Sequence, residues 1–235
     1  MIGTPTYDGK LDTWYVNSLI RTIKESAERG VEITPIWVGY DALIQRARND
    51  IIHLAIQDKF DDMIFIDSDI EWDPLDFYKL LEYSTDVIGG TYPKKNDNEE
   101  YVVRQDTTQK VDNKTGLLRV AGLGTGFVKL SRKAMLYLWD ISEMYIDPKD
   151  NVERRMIFDV AIKNSKLYSE DINMFEKLSD GGFEIWLDSL ITCNHIGMKK
   201  YTGNFSDWVV KNNIPNDAPS NIAPIINTQV IKKKL

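Results

Sequence analysis

Cysteine is all but missing: Cys193 stands alone among 235 residues. One thiol builds neither a disulfide framework nor a cysteine-rich zinc centre within a single chain, a usage that fits a reducing compartment. Long apolar runs are missing too. No stretch approaches the ~20 residues a membrane-spanning helix needs. The opening MIGTPTYDGK has no basic-then-apolar leader pattern, so the sequence predicts a cytoplasmic protein with no membrane span. Positive charge is in deficit, with 29 Lys and Arg against 36 Asp and Glu and a net charge of −7. That balance disfavours unaided binding to a nucleic-acid backbone, which asks for a basic face. A phosphorylated ligand would need a metal ion or a local basic cluster. Internal repeats and low-complexity blocks are absent.

What is present reads as a folded α/β chain. Hydrophobic residues make up 43% and charged residues 28%, the globular range, and the length suits one large domain better than two. A short apolar start is followed by a break at Pro5 to Gly9 and a helix capped by Asp12 or Thr13, with Trp14, Leu19, Ile23 and Ala27 as its apolar face. A strand over 31–38 carries Pro35, which suggests an edge or a bulge. A second helix opens at Asp41 and leads to the apolar run Met63 to Ile66. Pro74 sits where a first-turn proline is tolerated, and a strand over 86–90 follows. Strand and helix thus alternate, which predicts a parallel sheet with helices on its faces.

The second half differs. Strands over 101–105 and 117–121 bracket a polar turn and suggest an antiparallel pair. A strand over 126–130 leads to a helix capped by Ser131. Residues 147–164 are charged and weakly patterned and predict a mobile loop. Ser169 caps another helix, and strands over 183–187 and 190–194 precede His195. From Tyr201 the chain is polar and Pro-punctuated and predicts a wrapping or partly disordered tail.

The organising stretch is FDDMIFIDSDIEWDP, residues 60–74. A strand buried on both faces runs into Asp67-Ser68-Asp69, and in extended backbone residues two apart project to one side, so the two carboxylates can converge on a hard cation. Strand ends of open α/β sheets are also where ligands sit. The alternative is a polar turn leading into the next helix. Gly122, Gly124 and Gly126 fall as G-x-G-x-G with no acidic residue at the dinucleotide spacing, which disfavours Rossmann cofactor binding; tight-turn glycines are the plain alternative. Glu170 and Asp171 lie in a helix first turn, where acids are stabilising without any catalysis.

Taken in order, the strand end at Thr4 to Tyr7, the helix segment Arg46 to Asn49, the DSD, the GLGTGF at 122–127, Ser169-Glu170-Asp171 and the H-x-G of His195 resemble the GT-A fold glycosyltransferases, especially the small soluble type of large DNA viruses and phages. The resemblance covers roughly residues 1–200 and implies a single GT-A domain there, with 201–235 as the tail. The sheet would be Rossmann-like, mixed and mainly parallel, flanked by helices, with a smaller antiparallel element on the acceptor side.

The resemblance further implies a nucleotide-diphosphate sugar donor, UDP-linked in the first instance, and a glycan or other hydroxyl acceptor. Thr4, Pro5 and Tyr7 would hold the base, with Tyr7 as a stacking platform. Arg48, Asn49, Asp67, Gly124, Thr125 and Gly126 would line the donor. Asp67, Asp69 and His195 would ligate Mn²⁺ or Mg²⁺, the imidazole favouring Mn²⁺. Asp171 would be the general base and Glu170 a partner to sugar hydroxyls; Trp72, Tyr92, Lys94 and Trp186 could line an acceptor groove. The rival readings are an NDP-sugar-forming nucleotidyltransferase, whose Gly- and Arg-rich phosphate loop TPTYDG does not match, and a non-catalytic nucleotide- or carbohydrate-binding domain.

Overall fold

The computed structural model describes residues 1–105 and 111–212. Its first part alternates as β1 (Ile2–Thr6), α1 (Thr13–Ser26), β2 (Pro35–Gly39), α2 (Ile44–Gln57), β3 (Asp62–Ile66), the short β4 (Ile70–Glu71), α3 (Pro74–Glu82) and β5 (Val87–Thr91). The start signals act as read: the carboxylates of Asp12 and Asp73 accept the N–H groups of Trp14 and Leu75, satisfying donors that a helix start leaves orphaned. β1 pairs in parallel with β2 on one side and β3 on the other. β2 is the sheet edge, where Pro35 costs no ladder bond.

The chain continues as β6 (Val103–Gln105), β7 (Leu118–Leu123), β8 (Phe127–Ser131), α4 (Arg132–Ile141), β9 (Met144–Asp147), β10 (Val152–Arg155), β11 (Ala161–Lys163), β12 (Lys166–Tyr168), α5 (Glu170–Asp180), β13 (Ile185–Thr192), β14 (Asn194–Ile196), β15 (Lys200–Tyr201) and α6 (Phe205–Lys211). The eight-stranded sheet has the order β2-β1-β3-β8-β5-β13-β7-β6. β8 is inserted antiparallel between β3 and β5, β13 returns parallel to β5, and β7 and β6 close that edge with antiparallel pairs. Small antiparallel sheets, β9 with β10, β11 with β12, and β4-β14-β15, stand apart from it. The class is the expected one, a mixed α/β sheet flanked by helices with smaller antiparallel elements, but the sheet is not mainly parallel: three of its pairings are parallel and four antiparallel, because β8 is inserted between β3 and β5 and β7 and β6 close the far edge.

The core lies on both faces of the sheet, and β3 shows why its sequence is continuously apolar. Met63 and Phe65 belong to the cluster holding Val128, Leu130, Phe158 and Phe175, while Ile64 and Ile66 belong to the one holding Tyr15, Trp72 and Phe127. Alternate residues project to opposite faces, and both faces are covered.

Three further sequence expectations are corrected. The buried face of α1 is Tyr15, Ser18, Leu19 and Thr22, whereas Trp14 and Ile23 are exposed. Hydroxyls serve that interface: Ser18 donates to the carbonyl of Trp72 at 2.7 Å and the indole of Trp72 donates to Thr22 at 3.0 Å. Residues 147–164, expected as a loop, belong instead to two hairpins that span 144–168. In the first, apolar Met144, Ile146 and Val152 are exposed while charged Asp147 and Arg154 are buried, the inverse of the usual pattern. The two late strands are one, β13, with an irregularity between Leu187 and Thr192. α6 packs Phe205 and Trp208 against Tyr101; residues 213–235 of the expected tail lie outside the described residues.

Candidate functional site

β3 ends at Ile66, and the chain then turns tightly, with Ile70 N–H donating to the carbonyl of Asp67 at 3.1 Å. The backbone is therefore not extended through the DSD, and the two carboxylates diverge. Asp67 faces Arg48, whose Nη2 lies 3.0 Å from Asp67 Oδ1 while Nη1 lies 2.7 Å from Glu170 Oε1. Arg48 is 5% exposed and joins two acids 122 and 19 residues away in sequence.

Asp69 finds other partners. β4 pairs antiparallel with β14, and Ile196 N–H donates to the Asp69 carbonyl at 2.8 Å. This sets His195 Nε2 3.6 Å from Asp69 Oδ1. The opposite ring nitrogen, Nδ1, lies 2.9 Å from the carbonyl oxygen of Pro93. A carbonyl only accepts, so Nδ1 carries a proton and Nε2 is the nitrogen turned to the carboxylate. Lys95 Nζ completes the group at 2.5 Å from Asp69 Oδ2. Burial pushes the Asp69 carboxyl up, but His195 and Lys95 outweigh it and hold it below the ordinary range.

Whether these residues suit a divalent ion can be judged from the donors. Among the described residues no three His, Cys, Asp or Glu side chains converge on one point, so Asp67, Asp69 and His195 do not form a closed cage. Asp69 and His195 do face one another, a carboxylate oxygen and a ring nitrogen 3.6 Å apart, two donor types that a divalent ion accepts. Hard divalent ions bound with phosphorylated ligands commonly use one or two protein groups and take the remainder from phosphate and water. The His195 ring is oriented from behind by the Pro93 carbonyl, as ligating imidazoles usually are. The pair fits such an ion; Asp67 is spent on Arg48.

The residues expected around a donor are distributed as follows. Thr4 and Pro5 are buried in β1, with Thr4 Oγ1 and the Tyr15 hydroxyl 2.7 Å apart. Tyr7, just beyond, is 76% exposed. Asn49 does not face a ligand: its amide oxygen accepts from Ile157 and Phe158 N–H at 3.2 and 2.9 Å, which fixes that loop. At Gly124 and Gly126 the space a Cβ would take is filled by Tyr92, whose hydroxyl oxygen would stand 2.3 Å from the first and 2.8 Å from the second, and Gly126 N–H donates to the Tyr92 hydroxyl at 3.0 Å. The close approach that needs glycine is thus made by Tyr92 and not by a sugar. Thr125 is buried between them with its hydroxyl unpaired, as is Arg48 Nε. Trp72, Tyr92 and Trp186 are core residues and Lys94 pairs with Glu100, so they do not form an acceptor groove.

Glu170 and Asp171 open α5. Ser169 stands at the N-cap without accepting from the helix; its hydroxyl donates instead to Asp171 Oδ1, which also accepts from Ile172 N–H at 2.7 Å. Asp171 Oδ2 carries no partner among the described residues. Beside Glu170 lies a cleft of about 540 Å³ whose walls include Arg104, Lys166, Tyr168 and Ile172, large enough for a small molecule.

Two residues here escaped sequence reasoning. Lys95 is visible only as one of two lysines after a strand rich in glycine. Tyr40 follows β2 with φ 61°, is 83% exposed and lies over Gly9, where a Cβ would be 2.5 Å from the ring. A bulky residue at positive φ is a backbone outlier of the kind that clusters at sites, and Gly39-Tyr40-Asp41 was its only signal.

No protein-family model matches the chain, and no curated protein sequence matches it. Among solved structures, one titled as a glycosyltransferase involved in the glycosylation of the major capsid of PBCV-1 overlaps with a TM-score of 0.29 at 13% identity, over 57% of this chain and 61% of that chain, an overlap too slight to argue from. A197 from STIV aligns at 18% identity with a TM-score of 0.53, covering 83% of this chain and 85% of that one. The chain therefore shares the α/β fold of A197 from STIV over most of both molecules.

Proposed function

We propose that the protein is a glycosyltransferase that moves a sugar from a nucleotide diphosphate, UDP in the first instance, to a hydroxyl acceptor, with Mn²⁺ or Mg²⁺ as its metal. The observation that carries this reading is the Asp69–His195 pair beyond the carboxyl end of β3, a carboxylate oxygen and a ring nitrogen 3.6 Å apart where open α/β sheets bind ligands. Asp69 and His195 would hold the ion, which when bound neutralises charge on the departing diphosphate. Tyr7, with Tyr40 beside it at the adjacent strand end, offers aromatic faces to a base. Arg48 keeps Asp67 and Glu170 in place from beneath. The acceptor hydroxyl gives its proton to Asp171 Oδ2 as its oxygen bonds to the anomeric carbon, and the bond from that carbon to the diphosphate oxygen breaks with the electron pair leaving on UDP. Asp171 suits that role better than Glu170, because Glu170 is committed to Arg48 while Asp171 has one oxygen fixed and one free.

Incubation with UDP-sugars and Mn²⁺ tests the reading: slow release of UDP is expected, lost in Asp69→Ala. Asp171→Asn should depress turnover more than donor binding, and equal loss of both would make it a donor-recognition residue. Consumption of UTP with a sugar phosphate would instead mark a nucleotidyltransferase, and UDP binding with no sugar ever lost would mark a binding domain.

A further inference from the structure

The loop after β5 performs two tasks at Asp69. Pro93 orients His195 through Nδ1, and two residues later Lys95 reaches the far oxygen of the Asp69 carboxylate. The lysine stem crosses the turn between β14 and β15 where Gly197 has no side chain: a Cβ there would stand 3.1 Å from Lys95 Cδ. Lys95 and Asp69 are 37% and 36% exposed, so the pair is open to exchange. Asp69 thus has an imidazole fixed on one oxygen and, on the other, an ammonium carried by a flexible four-carbon stem. A divalent ion on the same carboxylate would repel that ammonium strongly at such range. A diphosphate placed over the ion would attract it, since lysine is a common phosphate binder.

Resting on the metal-dependent reading above, we propose that Lys95 and the divalent ion are alternative partners of Asp69, and that the displaced lysine becomes a ligand of the nucleoside diphosphate. Lys95 balances the carboxylate in the metal-free protein and leaves it when the ion binds. The donor's phosphates then gain a cation that is withheld from them while the metal is absent, which makes productive donor binding follow metal binding.

Calorimetric titration of the whole chain with Mn²⁺, without nucleotide, tests the exchange. Lys95→Met should bind Mn²⁺ about fivefold more tightly, the scale of a partly exposed ion pair removed as competitor, and Lys95→Arg should resemble the parent. Lys94→Met is the control, because Lys94 carries the same charge next door but pairs with Glu100 at 3.1 Å; it should leave Mn²⁺ affinity unchanged. UDP titrated into the Mn²⁺-loaded proteins should bind Lys95→Met about tenfold more weakly, as loss of a charged phosphate contact implies. In the unmodified protein, acetylation of Lys95 read by mass spectrometry should quicken with Mn²⁺ and slow again with Mn²⁺ and UDP together.

Unchanged or weaker Mn²⁺ binding by Lys95→Met overturns the exchange while the metal reading stands. So does an equal gain in Lys94→Met, which would reduce the effect to general charge, or a labelling rate indifferent to Mn²⁺. If no variant binds Mn²⁺ and UDP affinity still depends on Lys95, the lysine is a permanent substitute for the ion, and the exchange and the metal reading fall together.

Discussion

At the scale of single residues, Arg48 carries the largest electrostatic burden. Its side chain is 6% exposed and bridges Asp67 and Glu170, so removing it leaves two carboxylates short of water and of a counter-charge. Breaking a buried pair from one side typically costs 3–5 kcal/mol; Arg48→Met should lose about 3 kcal/mol of unfolding free energy in urea. Arg48→Lys should recover little, because one ammonium cannot reproduce a fork that reaches two carboxylates at once. Adding Glu170→Gln to Arg48→Met should return part of the loss, since residues in one network do not add; strictly additive losses would show the bridge to be uncoupled. Tyr92 is the neutral counterpart. Burial drives its hydroxyl well above the ordinary phenol range, so it stays protonated while accepting from Gly126 N–H. Tyr92→Phe strands that buried donor, a loss of about 1–3 kcal/mol. It should leave Mn²⁺-dependent UDP binding nearly unchanged, because phenylalanine keeps the ring that meets His195 edge-on at a centroid distance of 5.0 Å, whereas Tyr92→Ala should weaken it.

Among the elements, those legible in the sequence were the ones whose caps and periodicity agree with their burial. Asp12, Asp73 and Ser131 start helices where their side chains indicate, and Met63 to Ile66 is buried on both faces. The β9–β10 hairpin was illegible because its polarity is inverted. Arg154 turns inward to Asp50 at 2.8 Å and to Asp150 at 2.8 Å, Asp147 is buried, and the apolar residues face out. The candidate site was legible by residue type and less so by geometry. Its Asp69 and His195 meet because β4 and β14 pair across the chain, whereas the Asp67–Ser68 turn, which no residue pattern forces, sends Asp67 to Arg48. Docking of the hairpin by charge leads to a local expectation. Arg154→Met should release β9–β10 from α2, raising amide hydrogen exchange in residues 144–155 about tenfold or more while β3 and β8 keep their protection, as sub-global opening of a separate unit does. Uniform acceleration across the sheet would instead make the hairpin part of the global folding unit.

For the whole molecule, the same placement of charge sets the response to acid. The Arg46 guanidinium, hydrogen-bonded to Asp41, holds its carboxyl far below the ordinary range against the opposing effect of burial, with Lys149 adding to it. Lys149 lies 108 residues away, so Asp41 ties the start of α2 to the β9–β10 turn. Asp69, and Asp86 with Lys133 and Ser131 against burial, are depressed as well. A carboxyl depressed in the folded state leaves the unfolded chain binding more protons as acid is added, so its stabilisation is complete above the unfolded value near 4 and drains away as pH falls through the folded one. The share of the urea midpoint that these carboxylates supply should therefore hold from neutrality to about pH 5 and then decline steeply. Asp41→Asn should start lower at neutral pH, because Arg46 and Lys149 lose their shared anion, and should decline less steeply below pH 5, since its proton linkage is gone. Asp69 and Asp86 keep the slope from vanishing. A variant whose curve ran parallel to the parent's down to about pH 2 would locate the acid sensitivity in the general repulsion of a chain losing its negative charge, and not in the tie between α2 and the hairpin.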